Sequence, residues 1–360
     1  MKNTRLLFVI WMLFLVLPQG YSQGKKEDSS VLGQVNGFLS KHVKLTAYGQ
    51  FGYSYTDRKD LDVSQADNQF FGRLGMLILS GDITDKLSWM VQYELFTSQL
   101  LELYACYKPY SFFQVKIGRM KTCFTLENQM SSSVYETVNF SRVIERLAGF
   151  SGDVCGNQGG RDMGLQVGGG ELFKTSVDDY FLEYRVGVYN GSGLSMKDHN
   201  DAKDFAAWFT VQPVKGLKMG ASAYIGKLND DYTVVNDETG EETIYNTNMK
   251  RNRMALSTCY QTHRLTCRGG EYLWGKDGSI NRRVFYALGY WFAIPSRLAV
   301  VAKLERYEAD TAVSDSEMIY TVGGAYYITP KTRIMLNYAH FSYEKSVSVN
   351  ELWAMSQIGF

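Results

Sequence analysis

The chain is poor in residues that interrupt β-strands and in patterns that bind metals. Only five of its 360 residues are proline, whereas 25 are tyrosine and 20 are phenylalanine. This balance favours strands over helices or disorder. The five cysteines are an odd set without C-x-x-C spacing, which leaves disulfide pairing optional and argues against a zinc site. They are Cys106, Cys123, Cys155, Cys259 and Cys267.

Long apolar runs are missing beyond the N-terminus, which excludes an ordinary helical membrane protein. The one early run, 6–17, has about twelve residues, whereas a membrane-spanning helix needs roughly twenty. Lys2 and Arg5 precede the run, and Pro18 breaks it shortly before the small Ser22. This order predicts a signal peptide over residues 1–22, with an uncleaved membrane anchor as the alternative.

An excess of charge of one sign is also missing. The formal net charge is +1, and loss of Lys2 and Arg5 with the signal peptide would bring it to −1. A nearly neutral chain argues against nucleic acid as a partner. None of the four histidines has a plausible base-and-orienter arrangement, so the sequence predicts no catalytic residues, no metal site and no cofactor. They are His42, His199, His263 and His340.

What the chain has in abundance is alternation of apolar and polar residues. In 87–95 one face is apolar and the other carries Ser88, Gln92 and Glu94, and the last segment, 352–360, repeats the pattern. Side chains of a strand point alternately to opposite faces, so each segment has one apolar and one polar side. A soluble β-sandwich alternates too, but these segments reach about ten residues and carry flanking aromatic residues, as strands of membrane barrels do.

The connections between these segments alternate between short and long. The long ones are polar and span 121–160, 190–204, 229–250 and 309–317. The four prolines after the signal fall in short connections, where a sheet tolerates a residue that cannot donate a backbone hydrogen bond. They are Pro109, Pro213, Pro295 and Pro330. With the N-terminus in the periplasm, all four would lie on the periplasmic side.

We therefore predict an all-β fold, a transmembrane antiparallel β-barrel over residues 43–360 that follows a periplasmic segment over 23–42. At about 20 residues for each strand and its share of the connections, the barrel has about sixteen strands. Their predicted starts lie near 43, 69, 87, 100, 112, 161, 178, 204, 217, 250, 264, 283, 297, 318, 332 and 350. The predicted location is the outer membrane of a Gram-negative bacterium, since lipid tolerates strands only in closed sheets.

Because apolar residues of such strands face lipid, the opposite residues are expected to line the pore. The basic residues predicted there are Arg73, Lys116, Arg119, Lys121, Arg142, Arg146, Arg185, Arg251, Arg253, Arg268, Lys303 and Arg333. The acidic ones are Glu94, Glu102, Glu183 and Glu305. On the strands basic groups outnumber acidic ones by about two to one, which predicts a preference for anions. Alternatively, these groups pair with one another and only hydrate the wall.

Two irregular segments carry further expectations. Arg268 and Glu271 have opposite parity along one strand, and a β-bulge at Gly269-Gly270 would turn both inward, whereas without it Glu271 would lie near the outer interface. The connection 121–160 follows the fifth strand and mixes charged residues with apolar anchors. We expect it to fold against the inner wall and narrow the channel, with an extracellular flap as the alternative.

Several blocks resemble the phosphate-selective porin O and P family. They are Lys116-Ile-Gly-Arg-Met-Lys-Thr-Cys-Phe-Thr-Leu-Glu-Asn128, Arg142-Val-Ile-Glu-Arg-Leu147, Gly160-Arg-Asp-Met-Gly-Leu-Gln166 and Tyr184-Arg-Val-Gly-Val-Tyr-Asn-Gly-Ser-Gly193. The resemblance implies a sixteen-stranded pore, a homotrimer and a long loop that forms the constriction. The chain departs from the family pattern at Cys123 and Thr125, which puts the entry of the loop into the barrel in question. No ladder of arginines with a lysine cluster is recognisable, so phosphate selectivity is not implied.

The function expected from the sequence is passive diffusion of small hydrophilic, preferentially anionic solutes. The alternative is an outer-membrane receptor or adhesin that acts through its extracellular loops. Partners expected on this basis are outer-membrane lipid and lipopolysaccharide, and the barrel-assembly machinery. The last would recognise the C-terminal Phe360, which resembles the terminal signal of outer-membrane barrels.

Overall fold

A computed structural model gives the fold of the chain. It describes residues 43–57, 68–149, 153, 159–170, 181–194, 198, 200–228, 232–235, 242–245 and 248–359. The predicted signal peptide, the periplasmic segment, His42, Cys155, His199 and Phe360 lie outside these ranges. Within them no helix is long and apolar enough to cross a membrane.

Sixteen antiparallel strands form a closed barrel, as the sequence predicts. They are β1 (Val43–Asp57), β2 (Asn68–Thr84), β3 (Leu87–Glu94), β4 (Gln99–Tyr110), β5 (Phe113–Lys121), β6 (Arg161–Gly169), β7 (Leu182–Tyr189), β8 (Asp204–Val214), β9 (Leu217–Lys227), β12 (Lys250–Gln261), β13 (Leu265–Asp277), β14 (Ile280–Ile294), β15 (Leu298–Glu308), β16 (Ser316–Thr329), β17 (Thr332–Tyr343) and β18 (Val349–Gly359). A separate hairpin, β10 (Tyr232–Val235) with β11 (Glu242–Tyr245), lies between β9 and β12. The barrel closes where β1 pairs with β18, so none of its sixteen strands keeps an unpaired edge.

The alternation in sequence becomes a difference between the two faces of the wall. In β17, Arg333 and Asn337 are each 2% exposed, whereas the intervening Leu336 is 55% exposed on the outer surface. β15 repeats this, with Lys303 and Glu305 buried inside and Val300 exposed outside. The apolar outer face and the polar inner face are those that a barrel in lipid requires.

Prolines and a glycine pair mark the irregular points of the strands. The prediction that Pro109 and Pro213 lie in short connections between strands is wrong. They lie within the last residues of β4 and β8, where the pairing register shifts. A proline is tolerated there because the ladder is already interrupted. The predicted bulge at Gly269-Gly270 is confirmed, since the register between β13 and β14 shifts between Gly269 and Glu271.

The connection between β5 and β6, residues 122–160, is here called the constriction loop. It contains two short helices, α1 (Leu126–Gln129) and α2 (Arg142–Leu147), with a 3-10 turn at Ser132–Val134 between them. Helix α2 contacts β13, β14 and β15, and the largest buried apolar cluster joins loop residues to the inner wall. The loop thus folds inward, as predicted. We call the end of the barrel where it begins the loop end, and the other end the turn end.

Candidate functional site: the constriction loop and the inner wall

The constriction loop has a polar core of its own. Glu127 accepts a hydrogen bond from the hydroxyl of Ser141 and one from its backbone N–H at 3.3 Å. The hydroxyl of Tyr135 donates to the carbonyl of Glu127 at 3.0 Å. These contacts tie the first helix of the loop to its second half, across 14 residues of sequence. The loop therefore enters the barrel as a folded unit.

Helix α2 anchors this unit through apolar packing. Val143, Ile144 and Leu147 each have 0% exposure and belong to one cluster with residues of the wall. Burying side chains of this size typically contributes about 1.5–3 kcal/mol each. Apolar burial thus supplies much of the force that keeps the loop against β13–β15.

Arg253 of β12 holds the end of α2 to the wall. Its guanidinium donates to the carbonyl of Leu147 at 2.6 Å and to the carboxylate of Asp153 at 2.5 and 3.1 Å. It also contacts Asp277 at 3.2 Å, and Asp277 accepts a further bond from Arg282 at 3.0 Å. One arginine therefore joins loop and wall in a buried network of charges.

Three further basic residues hold the middle of the loop. Arg268 pairs with Glu136 of the loop, and Lys303 pairs with Glu305 at 2.8 Å and lies near the carbonyl of Asn139 at 3.4 Å. From the loop side, the guanidinium of Arg142 binds Glu145 within α2 and Glu317 on β16, the latter at 2.7 Å. The backbone N–H of Arg142 donates to Glu305 at 2.7 Å.

Arg73 and Arg333 contact the same loop through neutral groups. Arg333 donates to the carbonyls of Ser133 and Tyr135 at 2.9 and 2.7 Å. Arg73 donates to Gln50 at 2.6 Å, and its guanidinium carbon lies 4.3 Å from the ring centre of Phe140. Neither arginine forms an ion pair with a carboxylate in the part of the chain that is described, so both keep an uncompensated charge.

The wall of β5–β7 carries four of the predicted basic residues and one of the acidic ones. Lys121 donates to the carbonyl of Met130 at 2.5 Å, and Arg119 donates to that of Leu100 at 2.7 Å. The ammonium of Lys116 lies 5.0 Å from the ring centre of Tyr104. Arg185 differs, because it pairs with Glu183 at 2.5 Å and also binds Gln129 of the loop.

Four predicted residues remain, and each has contacts of its own. Arg251 is buried beside Asp204 at 3.0 Å and Tyr224 at 2.6 Å. Arg146 lies over the ring of Tyr307, with its guanidinium carbon 5.8 Å from the centroid. Glu94 accepts backbone N–H bonds from Gly75, Phe96 and Thr97, so it stabilises the turn after β3. Glu102 pairs with Arg161 at 3.1 Å.

The predicted site omitted most of the acidic residues on the inner side of the barrel. They are Glu127, Glu136, Glu145, Asp153, Asp162, Asp204, Asp277 and Glu317, all buried or half-buried beside inward-facing groups. Three of them, Asp204, Asp277 and Glu317, stand at the ends of strands β8, β13 and β16, where alternation is weakest as a guide. The twofold excess of basic groups counted along the strands is therefore largely compensated.

A cavity of about 440 Å³ remains open beside the loop. Arg73, Phe140 and Arg142 line one side of it, and Trp353 and Glu351 line another. Its wall thus combines aromatic rings with charges of both signs. Among the described residues no cluster of His, Cys, Asp and Glu could hold a metal ion.

Two loop groups have shifted acidity because they are enclosed. Burial raises the pKa of Glu127 above its usual range, although Lys303 and the Ser141 hydroxyl oppose this. Burial likewise raises the pKa of the Cys123 thiol. Cys123 and Thr125 are the positions at which the sequence departs from the family pattern. The backbone N–H of Cys123 donates to the Tyr189 hydroxyl at 3.2 Å, and that of Thr125 donates to the Ser222 hydroxyl at 3.1 Å, so both backbone groups are bonded where the chain enters the lumen.

Comparison with known proteins agrees with this architecture. Residues 45–252, more than half of the chain, match the family described as phosphate-selective porin O and P. No curated protein matches the chain. An anion-selective porin from Comamonas acidovorans superposes with a TM-score of 0.63 at 12% identity, over 88% of this chain and 99% of that one.

Two other solved structures share the fold. Pseudomonas putida OprB superposes with a TM-score of 0.62 at 12% identity, over 95% of this chain and 100% of that one. The trimer form of Vibrio cholerae OmpT gives 0.61 at 11% identity, over 88% and 99%. The family match indicates a channel rather than an enzyme. The chain belongs to the phosphate-selective porin O and P family and is an outer-membrane porin.

Proposed function

We propose that this porin passes small hydrophilic solutes by diffusion, with a preference for anions, through the space that the constriction loop leaves open. The preference for anions is supported by a comparison of the basic and the acidic groups that have no oppositely charged partner. The basic ones are more exposed than the acidic ones. Arg73, Lys116 and Lys121 are half-buried and contact only carbonyl, amide or ring groups. A permeating anion can approach these charges without first displacing a carboxylate.

The acidic groups without a basic partner are more enclosed. Glu94 is 3% exposed and Glu127 is 5% exposed, and each is saturated by donors of its own neighbourhood. Acidic groups that are half-buried, such as Glu145 and Glu183, pair with an arginine. The field along the water path is therefore set by half-buried basic groups that have no carboxylate partner, and not by the nearly balanced total of charges.

Reversal potential under a salt gradient across a planar bilayer tests this proposal. We expect an anion-selective reversal potential for the unmodified protein. The combined substitution Arg73→Gln, Lys116→Gln and Lys121→Gln should move it toward the cation-selective side. A matched control is Lys276→Gln, because Lys276 is exposed on the outer face of β13 and should leave the potential unchanged. An unchanged potential in the triple variant would refute the assignment.

We further propose a homotrimer, supported by the trimer form of the similar OmpT structure. The proposed lipid partners are outer-membrane lipid and lipopolysaccharide, since the outer faces of the strands are apolar. Recognition of Phe360 by the barrel-assembly machinery is proposed from the sequence alone. The receptor or adhesin alternative gains no support from the family match. Analytical centrifugation of the detergent-solubilised protein tests the trimer, which a monomeric mass would contradict.

A further inference from the structure

Five basic residues face outward at the loop end of one side of the barrel. Their side chains are exposed and have the parity of the lipid-facing residues, so they do not belong to the pore. We call them the outer basic stripe: Lys227 on β9, Lys250 on β12, Lys276 on β13, Arg283 on β14 and Arg306 on β15.

The pairing register places these residues side by side. Lys250 stands directly opposite Lys227, and Lys276 stands opposite Asn281, two residues before Arg283. Phe285, two residues after Arg283, pairs with Arg306. Neighbouring strands lie about 4.8 Å apart, so the stripe is continuous over five adjacent strands.

The stripe lies at the edge of the apolar outer surface. Ile225, two residues from Lys227 on the same face, is 59% exposed, and Trp274, two residues from Lys276, is 49% exposed. On a barrel strand, the step from exposed apolar to exposed charged side chains marks the boundary between hydrocarbon and headgroups. The five charges therefore lie at headgroup level.

The charges of the stripe are poorly compensated by the protein. Glu308 binds Arg283 at 2.9 Å and Arg306 at 2.8 Å, so one carboxylate serves two arginines. Lys227, Lys250 and Lys276 have no carboxylate partner within the described ranges. Two like charges directly opposite each other, as at Lys227 and Lys250, destabilise a strand pair unless an anion lies between them.

The other side of the barrel provides an internal comparison. At the loop end of β16–β18 and β1–β7, no described strand residue is an exposed Lys or Arg. Asp57 at the end of β1 is instead acidic. The basic side chains thus form a one-sided feature, which a general need for solubility would not produce.

We propose that the outer basic stripe binds the phosphate groups of lipid A, the lipid anchor of lipopolysaccharide in the outer leaflet. This assignment rests on the orientation predicted from the sequence, in which the turn end lies on the periplasmic side and the loop end faces the exterior. It gives the lipid partner of the proposed function a site. Lysine and arginine bind phosphate through charge-assisted hydrogen bonds, and the apolar residues beside them would contact the acyl chains.

Native mass spectrometry of the purified protein in detergent, with defined lipids added, tests the proposal. The probes are diphosphoryl lipid A and dephosphorylated lipid A with the same acyl chains. We expect the unmodified protein to bind the diphosphoryl form more tightly. The variant Lys250→Gln, Lys276→Gln and Arg283→Gln should lose at least about tenfold in that affinity, since each surface charge near an anionic headgroup contributes about 1 kcal/mol.

The matched control is Lys86→Gln, Lys108→Gln and Lys331→Gln, three exposed lysines at the turn end, which should bind as the unmodified protein does. Equal binding of both lipids by the unmodified protein, or equal losses in both triple variants, would overturn the proposal, and so would full displacement of lipid A by inorganic phosphate. If the stripe variant does not fold, Lys227→Gln with Arg306→Gln provides the second test, with a severalfold loss expected. Channel conductance of the same preparations is measured separately, so that failure of lipid binding and failure of the pore are distinguishable.

Discussion

Replacement of Arg253 by methionine should loosen the constriction loop without disturbing the barrel. The side chain joins the end of α2 and Asp153 to the wall through hydrogen bonds of 2.5 to 3.2 Å, and its exposure is 3%. Methionine fills a similar volume but removes the charge, which leaves the carboxylate of Asp153 buried without this partner. Asp277 keeps Arg282.

The expected magnitude follows from burial. Breaking a buried ion pair by removing one partner costs about 3–5 kcal/mol. Since 1.4 kcal/mol is a factor of ten, the population with the end of the loop released should rise by about two to three and a half orders of magnitude. Helix α2 keeps its apolar anchors, and the middle of the loop keeps Arg268 and Lys303. We therefore expect partial and reversible release, not loss of the whole loop.

Single-channel recording in planar bilayers is the assay for this substitution. The variant should show additional, larger conductance states and more open-channel noise than the unmodified protein. The double variant Arg253→Met with Asp153→Asn is the matched control. It also removes the negative charge of the Asp153 carboxylate that has lost its arginine partner, so it should recover part of the stability of the attached loop. Conductance and noise identical to those of the unmodified protein would refute the role of Arg253 as an anchor.

Two further predictions concern stability. Folding raises the pKa of the Glu127 carboxyl, so the unfolded chain loses the carboxyl proton at a lower pH than the folded protein does. The free energy of unfolding should therefore fall as the pH rises from the ordinary carboxyl pKa toward the raised one. Glu127→Gln should remove this part of the pH dependence of thermal unfolding, and an unchanged pH dependence in the variant would contradict the prediction. Gly118 has a φ of 129°, and an added Cβ would lie 2.3 Å from the carbonyl oxygen of Leu103, so Gly118→Ala should destabilise the barrel by on the order of 1–3 kcal/mol. Gly289→Ala should be neutral in the same unfolding assay, because its Cβ would meet nothing within 4 Å. Equal changes in the free energy of unfolding for the two alanine variants would contradict this prediction, because the crowding at Gly118 would then be relieved without cost.

The barrel was predictable because alternation is a local property of the sequence. β17 and β15 show it clearly, and one buried and one exposed face per strand indicate the side that faces the pore. The strand number followed from the length of the chain at about 20 residues per strand and its connections. Even the bulge near Gly269 was recognisable as one of two alternatives, because two charged residues with opposite parity flank a pair of glycines.

The partners of the inward charges were not predictable in the same way. Arg253 was expected in the pore, but its partner Asp153 is 100 residues away, in a loop without alternation. Arg251 and Asp204 are separated by 47 residues and meet only because β12 and β8 both flank β9. Such pairs depend on loop conformation and long-range register, which no local pattern encodes.

The central claim is that the chain forms an open pore narrowed by its own loop, and single-channel conductance of the purified, folded protein tests it most directly. The account predicts stable, ohmic conductance steps in a planar bilayer. No steps from correctly folded protein would contradict it, because the constriction loop would then act as a plug.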